Sequence, residues 1–268
     1  MKKRAYSELM MPRSMRAYVK KLVQKQIDRN WDCNQLMEYL VNMIEKNHVT
    51  LDNWHKKIEA WCFSILALVM RGQAIHWFFQ ESDSHEWLLN ASKGLDTQIL
   101  TDFYNSRPKH IVPIILHFKG GTSPCYLFTP LSPAEGDLPF CFVFSEGISG
   151  IMPPSTQLFE EQSDYEKKNN IAIRVISSAI AYKMCFPDAF VDGIPEDLKH
   201  PNHYRRSKGE SQAISIPHVS EDAKHAVSPH YRSGCFCTLR HKRFKANIGK
   251  VIFRKGCFVH GHAETIVE

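Results

Sequence analysis

The sequence predicts an α+β fold: a helical N-terminal part, a central mostly antiparallel sheet with a long helix, and a small basic C-terminal β unit. Three observations carry this expectation. Apolar residues recur at three- and four-residue steps through most of the first hundred positions, the helical period. From Arg107-Pro108 onward, short runs of β-branched and aromatic residues bounded by Gly, Pro or Ser take over. After a polar, proline-broken stretch, strand signals resume in a window where basic residues far outnumber acidic ones.

Taken in order, Met15, Tyr18, Val19, Leu22, Val23 and Ile27 mark one stripe of a first helix, with Arg16, Lys20, Lys21 and Lys25 on its other faces. Asp32 is placed to cap a second helix carrying Leu36, Leu40 and Ile44. Asp52 or Asn53 caps a third, expected to run through AWCFSILALVM to about Gln80. Two shorter helices are expected near 85–91 and 96–105, so that 1–106 reads as a helical region. In the central region, 107–190, IVPIILHF, CYLFTPL and LPFCFVFS read as strands. A helix with Ile173, Ile176, Ile180 and Met184 on one stripe then runs over 163–185 and is stopped by Pro187. Residues 191–227 read as a linker. The unit 228–268 holds three strand signals, CFCTL, KVIFR and GCFVHG, punctuated by Gly249 and Gly256.

Composition narrows the function classes. The most apolar run is eleven residues, well short of the roughly 20 that span a bilayer, and no export signal follows the basic start. A cytoplasmic protein with no membrane contact is the expectation. In a reducing compartment the eight cysteines read as free thiols, most of them in the core.

Charge is unevenly placed. Between His200 and His262 there are twelve Lys or Arg against Glu210, Glu221 and Asp222, and eight of the fourteen histidines fall there too. The rest of the chain is slightly acidic, although nine Lys or Arg against Glu8 and Asp28 occupy the first thirty residues. Such asymmetry points to an anionic partner, nucleic acid before membrane.

The stretch SPHYRSGCFCTLRHKRF, residues 228 to 244, concentrates the candidate chemistry. His230, Tyr231, Arg232, Arg240, Lys242, Arg243, Lys245, Lys250 and Arg254 are the expected nucleic-acid contacts: cations neutralise phosphates, and exposed rings stack on bases. Phe236, Phe253 and Phe258 read instead as the buried face of the strands. Zinc ranks below core thiols, because Cys235 and Cys237 are not the Cys-x-x-Cys of a tight turn, so no metal or other cofactor is expected. His230 and His241 are the candidate acid and base should the protein cleave RNA. A third reading is a protein-binding inhibitor that makes no nucleic-acid contact.

Ser228, Pro229, His230 and Arg232, followed by a basic and aromatic stretch ending in Phe253 and the FVHG of Phe258 to Gly261, resemble the C-terminal block of a family carried by phages and plasmids. That block runs Pro-His-x-Arg-x-Gly/Ala-His-x-Arg, and the best-known branch is an anti-CRISPR family that lowers production of the type V CRISPR nuclease by acting on its message during translation. Here Cys235 and Cys237 stand where the second His and Arg of the pattern fall. The resemblance implies an RNA or ribosome-associated partner, and a regulator rather than an enzyme.

Overall fold

A computed structural model describes Tyr6, Leu9 and residues 11–47, 53–95, 98–105, 112–120, 123–130, 141–145, 148–152, 164–198, 211–216, 230–232, 234–255 and 257–259. It is an α+β protein. Three helices come first, α1 (Arg13–Asp28), α2 (Cys33–Asn47) and α3 (Asn53–Met70). They end and begin where local chemistry directs. Asn30, at φ +51, closes α1 in a Schellman turn, with Trp31 N–H donating to the Gln26 carbonyl and Asn30 N–H to that of Ile27. Asp32 opens α2 with a reciprocal capping box: its carboxylate accepts from Gln35 N at 2.8 Å, and the Gln35 side chain accepts from Asp32 N at 3.0 Å. The alternative cap of α3, Asp52, lies outside the described residues.

The third helix stops ten residues short of expectation. Gly72, at φ +74, ends it in a second Schellman turn, with Gln73 N–H on the Leu68 carbonyl and Gly72 N–H on that of Val69. The apolar run beyond it is strand β1 (Ile75–Phe79), so the expected helical region of 1–106 contains a strand of the sheet. Next come α4 (Ser84–Ala91), α5 (Gln98–Asn105), β2 (Ile114–Phe118), β3 (Tyr126–Pro130), β4 (Cys141–Ser145), β5 (Ile148–Met152) and α6 (Asp164–Cys185). Two further strands, β6 (Phe190–Asp192) and β7 (Ser211–Ile214), complete a seven-stranded sheet of order β5-β4-β3-β2-β1-β7-β6. Its β1 pairs in parallel with β2 and β7, and every other pair is antiparallel. Most of β6 and all of β7 fall in 191–227, the expected linker, so residues 191–192 and 211–214 of it belong to the sheet. Four residues such as SQAI carry too little apolar pattern to announce a strand.

Alternation along the strands assigns the two faces. Trp77, Phe79, Ile114, Leu116, Phe118, Tyr126 and Phe128 pack with α4, α5 and α6, while Ile115, Cys125 and Leu127 pack with α1, α2 and α3. The sheet thus lies between two helical layers. In α6, Ile173, Ile176 and Ile180 are buried as expected, but Met184 is 53% exposed. Tyr182 takes the core side of that last turn and donates its hydroxyl to the Ser215 carbonyl at 2.8 Å. Likewise Ile27 of α1 is 54% exposed, and Gln26 is buried beside it.

Two buried histidines lie on the α1–α3 face. His76 Nδ1 sits 3.0 Å from His117 Nε2, and the His117 ring stacks on Phe78 at 4.5 Å. Burial lowers the His76 pKa from 6.5 to about 4. Between those two values the unfolded chain holds more protons than the folded one, so stability is full above pH 6.5 and is lost as pH falls toward 4. The loss attributable to this group is roughly 3 kcal/mol. Urea unfolding at pH 7 and at pH 4.5 checks this: a His76→Leu variant should lose much less stability between the two conditions than the wild type. An equal loss in both proteins contradicts the assignment.

Candidate nucleic-acid interface

The C-terminal unit contains two short antiparallel ladders, β8 (His230–Arg232) with β11 (Cys257–Val259), and β9 (Cys235–Thr238) with β10 (Val251–Arg254). In the second of these, Phe236 opposes Phe253, and both turn toward the main core. Phe236 is fully buried. Its ring meets Trp87 of α4 at 5.9 Å and Tyr182 of α6 at 6.4 Å, and Phe253 meets Trp87 at 5.7 Å and Phe186 at 5.5 Å. The expectation that these two phenylalanines are the inner face of the strands holds; the third, Phe258, has no described side chain.

Close backbone approach fixes the docking. Gly94, just past α4, bridges Cys237, and a Cβ there would meet the Phe236 carbonyl oxygen at 2.6 Å. Arg174 of α6 steadies the same corner by donating to Ser92 Oγ at 2.9 Å and to the Leu89 carbonyl at 3.2 Å, near the C-terminal end of α4. The β9–β10 hairpin is therefore packed on the body of the protein.

Residues 239–250 make the excursion between its strands. Leu239 N–H donates to the Lys250 carbonyl and Gly249 N–H to that of Leu239, at 2.9 and 2.8 Å, which closes the base. Within it runs a 3₁₀ stretch, Lys242–Asn247, kinked at Lys245. His241 caps that stretch: its Nδ1 accepts from Arg243 N–H at 3.1 Å. A backbone amide only donates, so Nδ1 presents its lone pair and the neutral ring carries its proton on Nε2. In that state His241 is a hydrogen-bond donor to an anion, and the lone pair a general base would need is engaged.

Arg240, His241, Lys242, Arg243, Lys245, Lys250, Arg254 and Lys255 are all exposed, and no Asp or Glu occurs anywhere in 223–263. Phe244 is half-buried, with the Arg243 guanidinium 4.8 Å above its ring, and Lys250 Nζ donates to Asn247 Oδ1 at 2.9 Å. The structure thus brings six of the nine expected contacts, with His241, onto one hairpin. Of His230, Tyr231 and Arg232, only the backbone belongs to the described part. Among the described residues no group of three His, Cys, Asp or Glu is placed to hold a metal ion.

Sequence reasoning missed the tightness of this excursion. One signal was present: Asn247 and Gly249 flank a run of cations with the composition of a turn. A second feature was invisible. Lys245 adopts φ +43 and ψ −114, a backbone region that disfavours any side chain.

Fold and site together define an α+β protein in which a mixed sheet between two helical layers supports an exposed cationic hairpin. No protein-family model, curated protein or solved structure matches the chain. No described helix is long and apolar enough to cross a membrane.

Strain at Lys245 separates its charge from its fold contribution. Replacing it by glycine should raise stability by about 1 kcal/mol, because the strained conformation is open to glycine, while weakening polyanion binding. Thermal unfolding and RNA titration of Lys245→Gly measure both. A variant less stable than the wild type contradicts the backbone account.

Proposed function

We propose that this protein binds RNA or a ribonucleoprotein through its C-terminal hairpin, acting in the cytoplasm as a regulator or inhibitor encoded by a mobile genetic element. The observation that carries the reading is the exposed, acid-free run of cations on a hydrogen-bonded excursion anchored to the core. Cations held on a firm scaffold release counterions from a polyanion without a large ordering cost. Phe236 and Phe253 face inward, so the contacts available are chiefly to phosphates rather than to bases. Such binding tolerates sequence variation and suits the folded backbone of a structured or ribosome-associated RNA. The mobile-element origin, and an anti-defence role within it, are supported by the resemblance of Ser228, Pro229, His230, Arg232 and the FVHG segment to the phage and plasmid block.

The test is fluorescence titration of a labelled RNA stem-loop across a salt series. An Arg240→Ala, Arg243→Ala double variant should bind at least about tenfold more weakly. The slope of log affinity against log salt should fall by roughly 1.4 to 1.8, at about 0.7 to 0.9 for each phosphate no longer neutralised. Equal affinity and slope in the two proteins contradict the proposal. Shortening of the RNA in metal-free buffer, abolished by His230→Ala, would replace binding by cleavage.

A further inference from the structure

The described surface holds a second acid-free cationic tract that the hairpin does not use. Helix α1 exposes Arg13, Arg16, Lys20 and Lys21, and no acidic residue stands between Glu8 and Asp28. Local stability does not explain this composition. Arg16 and Lys20, and Lys21 and Lys25, are like-charged pairs four residues apart, each unfavourable by a few tenths of a kcal/mol in a helix. The first turn has no acidic residue and carries Arg13 and Arg16, against the helix dipole. A sequence that keeps several locally unfavourable choices on one exposed face is expected to do so for a function of that face.

The fold sets the relation of this tract to the hairpin. Val19 and Leu22 of α1 pack in the cluster with Ala60, Trp61, Ile65 and the Ile115, Cys125, Leu127 face of the sheet. Phe236 of the hairpin packs in the cluster on the opposite face. Each helical layer is about 10 Å thick, so the two cationic surfaces stand on the order of 25 to 30 Å apart, across the sheet. Because the apolar stripe of α1 is already buried against α3, the helix has no free hydrophobic face to insert into a lipid surface.

We propose that α1 is a second RNA-binding surface, so that one chain holds two RNA segments at once, one on each side of its sheet. This rests on the hairpin reading of the preceding subsection. The ligand class is the same, a phosphodiester backbone met by Arg13, Arg16, Lys20 and Lys21.

Native mass spectrometry with an excess of a short RNA stem-loop tests it. Wild type should reach two RNAs per chain. Replacing Arg13, Arg16, Lys20 and Lys21 by Gln should leave one, and the Arg240→Ala, Arg243→Ala variant should need about tenfold more RNA to reach two. In solution, energy transfer between donor- and acceptor-labelled stem-loops should rise with substoichiometric wild type, decline in protein excess, be absent with the Gln variant, and be reduced with the Arg240→Ala, Arg243→Ala variant. Circular dichroism and thermal unfolding establish that each variant is folded. Should the Gln variant fail to fold, ultraviolet crosslinking of the wild type takes its place, with RNA-linked peptides expected from both α1 and 239–255. Saturation of wild type at one RNA, two RNAs still bound by the Gln variant, or crosslinks confined to 239–255 overturns this proposal and leaves the hairpin reading standing. Absence of any RNA binding overturns both.

Discussion

The aromatic seam between the C-terminal hairpin and the body of the protein is the contact on which the rest depends. Phe236 and Phe253 close on Trp87, Tyr182 and Phe186, and Gly94 lets the β9 backbone approach the end of α4. Fully burying an aromatic ring removes about 150 to 250 Å² from water, and truncating one in a core typically costs about 3 to 5 kcal/mol. Against that scale, mutual repulsion among the exposed cations of 240–255 is small, because each is screened by water and salt. Buried rings on one side of a two-stranded ladder thus anchor the cationic excursion 239–250 that joins its strands. An isolated two-stranded hairpin is marginal in water, so this unit keeps its shape by borrowing the core of its neighbours.

The central sheet extends the same logic to the whole chain. Strand β1 lies between β2 and β7 and presents Trp77 and Phe79 to one helical layer, while on its other face His76 and Phe78 are buried and Phe78 packs with Tyr6 and Leu198. Both faces are covered, as expected where parallel pairing places a strand inside a sheet. The hairpin docks on one layer and α1 is the outer helix of the opposite one, so two basic segments far apart in sequence do not merge into a single patch. His76 and His117 are both buried, with His76 Nδ1 at hydrogen-bond distance from His117 Nε2, so these polar rings meet each other away from water.

Much of this was legible in the sequence, and what was not has identifiable causes. The Asp32 cap, the stripes of α1 and α2, the Pro187 stop and the inward phenylalanines of the hairpin all follow from local rules. Strand β1 was absorbed into the preceding helix, because IHWFF continues an apolar run and is buried on both faces, which removes the alternation that marks a strand. Gly72 was the available signal for the break. Strand β7 was hidden by its four-residue length, and its partner β1 lies more than a hundred residues away. Docking of the C-terminal unit depends on contacts such as Gly94 with Cys237, which no local pattern encodes. For the site, the identities of the cations were legible and their gathering on one closed excursion was not.

Amide hydrogen exchange measured by NMR, at Leu239 and Gly249 of the hairpin base and at the β1 and β2 amides, tests the central claim most directly. Since the hairpin is held by the shared aromatic core, the Leu239 and Gly249 amides, bonded to the Lys250 and Leu239 carbonyls, should open only with the sheet, at closely similar free energy. Rapid exchange at the hairpin base while β1 and β2 remain protected would mean that the cationic unit is only loosely tethered, contradicting the account.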